Sequence, residues 1–122
     1  MRNFRNYDVW VDGVEFSIDI YKMTESFPKK ETYALCDQLQ RAAVSIPSNI
    51  AEGCSRKSVN EFAHFLEFSL GSSYEVETQL EIAIRLGYIQ NADFKKAIEK
   101  VQSIEKRITG LIQTIRPNSI ND

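Results

Sequence analysis

The chain has 122 residues, enough for one domain with one ordinary core. Its 43% apolar and 26% charged content is that of a folded globular protein. With 15 basic and 17 acidic residues the net charge is −2, which excludes a generally basic nucleic-acid coat and leaves room only for a local basic patch.

No apolar run approaches the roughly 20 residues of a membrane span, and the opening MRNFRNYDVW lacks a hydrophobic signal core. We therefore expect a single domain over 1–122, cytoplasmic and without a membrane partner.

The first segment, VWVDGVEFSIDI, reads two ways. Asp12-Gly13 would serve as the turn of a hairpin in which Val14, Phe16, Ile18 and Ile20 alternate. Val9, Phe16, Ile20, Met23 and Phe27 also follow steps of seven, four, three and four, which is one face of a helix. A two-stranded hairpin beside helices is poorly stabilised, which favours a helix over about 7–26.

The second helix is expected over about 28–56, with Pro28 at its first position. Leu35, Leu39, Ala42, Ala43, Ile46 and Ile50 share one side. Pro47 removes one backbone bond and crowds the carbonyl of Ala43, so a kink is expected there. At 100° per residue, Gln38, Arg41, Ser45, Asn49, Glu52 and Arg56 fall within an arc of about 80° that borders the apolar face. This stripe admits three readings. It is a solvated face with a Glu52–Arg56 helical ion pair, a polar seam that fixes packing against a neighbouring helix, or a recognition surface. Cys36 and Cys54 lie five turns apart on the same helix, about 27 Å, too far for a disulfide. Buried, reduced thiols are the expectation.

The third helix is expected over about 58–86. SVNE forms a capping box in which Ser58 takes the amide of residue 61 and Glu61 reaches back. Phe62, Phe65, Leu66, Leu70, Val76 and Leu80 fall on one side, with Gly71, Ser72 and Ser73 as a small-residue patch for a close neighbour. Glu77 falls within the apolar arc, a costly place for an unpaired carboxylate. Arg41 is nominated as its bidentate partner across the seam. Gly87 caps the C-terminus.

The fourth helix, about 91–116, carries the cleanest pattern. Ala97, Val101, Ile104, Ile108, Ile112 and Ile115 form one stripe, Asn91 or Asp93 can cap its start, and Pro117 stops it. The tail RPNSIND is expected to fray. Four such segments with short connections predict an all-α, antiparallel up-and-down four-helix bundle whose second helix is kinked at Pro47.

No reactive constellation accompanies this pattern. His64 is the sole histidine and has no nucleophile in a local motif. One histidine and two cysteines at these spacings make no zinc signature, and SLGSS lacks the ending of a phosphate loop. Glu75, Glu77 and Glu81 lack the Glu-x-x-His partners of a di-iron bundle. No catalytic residue, metal or cofactor is assigned, and a non-enzymatic role is expected.

QLQRAAVSIPSNIAEG at 38–53, EFAHFLEFSLGSSYEVETQL at 61–80 and RLGYI at 85–89, with VW at 9–10 and YKMTESFP at 21–28, resemble the four-helix-bundle family of 23S rRNA intervening-sequence proteins. The resemblance places the first segment in a helix. It implies a short bundle that assembles as a homopentamer, with no known enzymatic activity. It also implies similarity in fold to the accessory variability protein of diversity-generating retroelements, which is strongly basic and binds nucleic acid, whereas this chain carries −2. The motif positions that carry over are Arg41, Ser45, Asn49, Glu52 and Arg56. Two roles are expected from it: an oligomeric scaffold or adaptor, or a protein bound to RNA or a ribonucleoprotein. RNA would then meet Arg41, Arg56 and Lys57 and, on the fourth helix, Lys95, Lys96 and Lys100.

Overall fold

A computed structural model describes residues 2–117, and the described residues contain helices and turns but no strand. Four long helices follow in order: α1 Asp8–Thr24, α2 Leu35–Cys54, α3 Val59–Arg85 and α4 Asn91–Ile115. Short 3-10 turns at Phe4–Asn6 and Lys29–Glu31 precede α1 and α2. The expected frayed tail beyond Pro117 lies outside the described residues.

The first segment is a helix, so Asp12-Gly13 is no turn. Gly13 instead lies inside α1, buried against α2, where an added Cβ would meet Pro47 Cβ at 3.3 Å. Ser17, one turn further along α1, is buried and donates from Oγ to Gly13 O at 2.9 Å or Ala43 O at 3.0 Å. The second acceptor explains the fit. Ala43 O is the carbonyl whose helical partner Pro47 cannot supply. α2 continues through Pro47 as one helix, with a hydroxyl from α1 replacing the lost donor.

α2 begins later than the expected 28. Pro28 is extended (φ −57°, ψ 145°), a 3-10 turn follows, and Ala34 at φ −120°, ψ −101° interrupts any helical run. Phe27 is buried with its ring 5.4 Å from Tyr88, and the Tyr88 hydroxyl donates to Glu31 Oε2 at 2.7 Å. These contacts hold the linker across the base of the bundle and replace the extra helical turns.

α3 is capped as its sequence specifies. Ser58 Oγ accepts from the Glu61 amide at 3.0 Å and donates to Glu61 Oε1 at 3.1 Å. At its end Gly87 takes φ +80°, with Gly87 N donating to Ile84 O and Tyr88 N to Ala83 O, both at 2.9 Å. That pair of bonds is a Schellman motif, which only a residue tolerant of positive φ accommodates readily. α4 departs from expectation: the residue before it is Gln90, in extended backbone, and neither Asn91 nor Asp93 caps the helix through its side chain.

α1 packs on α2 and α4, and α3 packs on α2 and α4, with no close backbone approach across the diagonals among the described residues. Short connections then give an antiparallel up-and-down bundle. Phe16, Ile20, Leu39, Ile46, Phe62 and Leu80 lie within the core at 1% exposure or less. The α2–α3 seam is the tightest and the α1–α4 seam the loosest. Gly53 permits the tight one, because a Cβ there would lie 2.9 Å from Phe65 Cβ and 3.3 Å from Phe62 O. Cys36 and Cys54 are buried free thiols, with the Cys36 thiol reaching Thr24 O at 3.8 Å. Burial pushes both thiols above their ordinary range. No described helix is long and apolar enough to cross a membrane.

Candidate functional site: a polar seam and a buried acid pair

The six residues of the α2 stripe divide into two sets. Ser45 and Arg56 meet neighbouring segments, while half-buried Asn49 bonds to Ser45 on its own helix. The hydroxyls of Ser45 and Ser72 are 2.8 Å apart across the α2–α3 seam, and Asn49 Nδ2 donates to Ser45 Oγ at 2.8 Å and to Ser45 O at 2.9 Å. Ser69 extends the seam inward, donating to Ile46 O at 2.8 Å from full burial. Small residues on both helices let the backbones approach, and their hydroxyls satisfy the polar groups so enclosed. Arg56 pairs with Glu52 at 3.2 Å, lies over the Phe65 ring at 4.7 Å, and its carbonyl accepts from Arg2 Nη1 at 2.7 Å.

Gln38, Arg41 and Glu52 are exposed. Arg41 is the clearest case, with its side chain 80% exposed and its nearest acid, Asp37, at 3.9 Å on the same helix. The expected Arg41–Glu77 pair is therefore absent. Glu77 does lie half-buried at an interface, but the interface is with α4: Gln102 Nε2 donates to Glu77 Oε1 at 3.2 Å. A helical wheel places a residue on a face without naming the helix that the face meets.

The α3–α4 seam also holds Glu105, which is 9% exposed and whose Oε2 has no hydrogen-bond partner among the described residues. Burial first, then the hydrogen bond and negative charge of neighbouring Glu77, push its carboxyl up to about 8, against a smaller opposite pull from the Ser73 hydroxyl. At neutral pH Glu105 is thus held largely as the neutral acid beside the Glu77 carboxyl group. The wheel position of Glu105, about 20° beyond Ile112, puts it on the rim of the α4 stripe, a signal the apolar pattern alone does not weigh.

His64, the only histidine, is exposed with its ring 4.6 Å from Phe68, edge to face. It has no nucleophile as neighbour among its described contacts. No group of three or more His, Cys, Asp or Glu residues that could hold a metal occurs among the described residues. A cleft of about 630 Å³ opens between α1 and α4, lined by apolar Phe16, Ile20 and Ala97, by Lys22, Lys96 and Lys100, and by the acids Asp19 and Asp93. Lys100 is paired with Asp19 at 2.6 Å.

Comparison with known proteins adds the family. The family model described as 23S rRNA-intervening sequence protein matches residues 5–110. Among solved structures, a crystal structure at 1.70 Å of a protein with unknown function from the S23 ribosomal protein family of Bacteroides thetaiotaomicron aligns with a TM-score of 0.78 and 26% identity. The alignment covers 86% of this chain and 98% of that one. No curated protein matches the chain.

Proposed function

Since the chain belongs to the family of 23S rRNA-intervening sequence proteins, we propose that it is a non-enzymatic, self-associating helical scaffold or adaptor of the cytoplasm. One observation carries the reading: large apolar side chains stay exposed on the outer faces of helices whose inner faces already fill the core. Ile18 and Tyr21 on α1, Val44 on α2, and Phe68, Tyr74 and Ile82 on α3 all belong to this set. Burying such surface between copies is the ordinary source of oligomer stability. The polar stripe joins this role. Ser45, bonded to Ser72 of α3 and held by Asn49 of its own helix, ties the α2–α3 pair together, and Arg41 and Glu52 stand beside it as exposed charges for register between copies or for an adaptor's partner.

Light scattering on the purified chain tests the proposal. We expect about five times the 14.0 kDa protomer mass, the assembly that the resemblance implies. A single protomer at micromolar concentration overturns it. RNA association is the second reading, favoured by the three lysines gathered around the α1–α4 cleft. It requires binding to structured RNA that weakens steeply with salt, and it fails for the isolated protein if none binds at low salt.

A further inference from the structure

α1 is apolar on two sides. Phe16 and Ile20 fill the core, while Val11, Val14, Ile18 and Tyr21, at steps of three, four and three, form a second stripe facing outward. A second apolar stripe on a helix is normally covered, yet among the described residues α1 packs on α2, α4 and the Phe4–Asn6 turn alone. The outward stripe forms one wall of a groove of about 590 Å³, with Val44, Pro47, Ser48 and Ala51 of α2 on the other side. Arg5 and Lys22 also line it. Lys22 stands in the last turn of α1 and Arg5 in the Phe4–Asn6 turn that precedes it, so the groove runs basic, apolar, basic. Neither has a carboxylate partner in an ion pair among the described residues; Arg5 lies over the Phe4 and Trp10 rings.

The complementary pattern lies on α3. Glu61, Phe68 and Glu75 recur every seven residues and so share one stripe, with the two acids about 21 Å apart. Neither acid has a basic partner among the described ion pairs; their hydrogen bonds are to Ser58 and Gln79. Phe68 is 49% exposed and held edge to face by both His64 at 4.6 Å and Phe65 at 5.7 Å. It is a fixed aromatic knob of the kind that anchors interfaces. Beside it Gly71 leaves open space, with nothing within 4 Å of an added Cβ.

We propose that the α1/α2 groove of one copy receives the Glu61–Phe68–Glu75 ridge of a second copy, in a head-to-tail contact. Phe68 supplies the apolar anchor, and the two acids meet Arg5 and Lys22 at the ends of the groove. Groove and ridge lie on neighbouring sides of α2. Because the two surfaces differ, the contact is heterologous, the kind that closes a ring when the rotation matches and extends a filament when it does not. The inference rests on the self-association proposed above and assigns the surfaces that carry it.

Two exposed substitutions separate the claims: Ile18→Asp in the groove and Phe68→Asp on the ridge. Each variant is checked for wild-type helix content by circular dichroism and then weighed by light scattering. The expected result is that each falls to the 14.0 kDa protomer. An equal mixture of the two should rise to twice that mass, because it contains one intact groove and one intact ridge. If wild type assembles and both variants keep its mass, the interface lies elsewhere and self-association stands alone. If both fall but the mixture stays at the protomer mass, the pairing of groove with ridge is wrong. A monomeric wild type removes this inference together with the scaffold reading. Should either variant lose helix, Tyr21→Glu and Glu75→Lys replace them under the same criteria.

Discussion

Glu105→Gln tests the buried acid of the α3–α4 seam. A carboxyl that ionises at 4.5 when solvated and at about 8 in the fold binds its proton more tightly in the folded chain. Below about pH 4.5 both states are protonated and the residue contributes no pH dependence. Between about 4.5 and 8 the unfolded chain ionises first, so stability falls as pH rises, by at most about 1.4 kcal/mol per pH unit. Above about 8 both states are ionised and the penalty is complete. Taken alone, the shift amounts to about 5 kcal/mol. Water reaches the outer part of half-buried Glu77, and screening there lowers the expected penalty to about 1–3 kcal/mol. Glutamine keeps the shape, cannot ionise, and can donate its amide to Glu77. Urea unfolding of both proteins at about pH 5.5 and about pH 8.5 should give a variant that gains about 1–3 kcal/mol over wild type at the higher pH and little at the lower. Parallel pH dependences, or a wild type that gains stability with rising pH where the variant does not, would refute the reasoning.

Two further outcomes follow from the α1–α2 and α2–α3 seams. Ser17→Ala should cost about 1–3 kcal/mol by leaving the buried Ala43 carbonyl without a donor. In that background Pro47→Ala should restore part of the loss, since residue 47 regains an amide for Ala43; strictly additive effects in the double-mutant cycle would refute the coupling. Arg41→Ala, by contrast, should change stability by no more than about 0.5 kcal/mol, the worth of an exposed helical ion pair, and a larger loss in thermal unfolding of the separated protomer would show that Arg41 has a partner within the chain.

What the sequence disclosed was periodicity. Val101, Ile104, Ile108 and Ile112 announce α4 because an apolar stripe needs only local spacing, and the Ser58 and Gly87 caps are local chemistry as well. What stayed hidden depends on neighbours far along the chain. Pro47 signalled a defect in α2, but nothing local showed that Ser17, 26 residues earlier, would supply the missing donor. Pro28 resembled a helix start, yet contacts of Phe27 and Glu31 with Tyr88, beyond α3, fix the linker instead. The wheel puts Ser45 and Asn49 beside the apolar face, and both are half-buried, but it cannot name the helix that Glu77 meets, which is α4 through Gln102. The outer stripe of α1 was overlooked because one satisfactory face, running through Phe16 and Ile20, already accounted for the helix.

The match between Ser17 and the Pro47 gap gives α2 a single address at which α1 can dock. Sliding α1 by one turn, about 5.4 Å, would bring Gly13 away from the proline ring and strand the Ala43 carbonyl in an apolar setting. Helices α1 and α2 are thereby keyed into one block, and Ser69 and Ser72 bind α3 to the same block from the other side. Any breathing of the bundle is left to α4, whose contact with α1 is the loosest, so access to the α1–α4 cleft would open by a swing of α4 while the α1/α2 groove keeps its form.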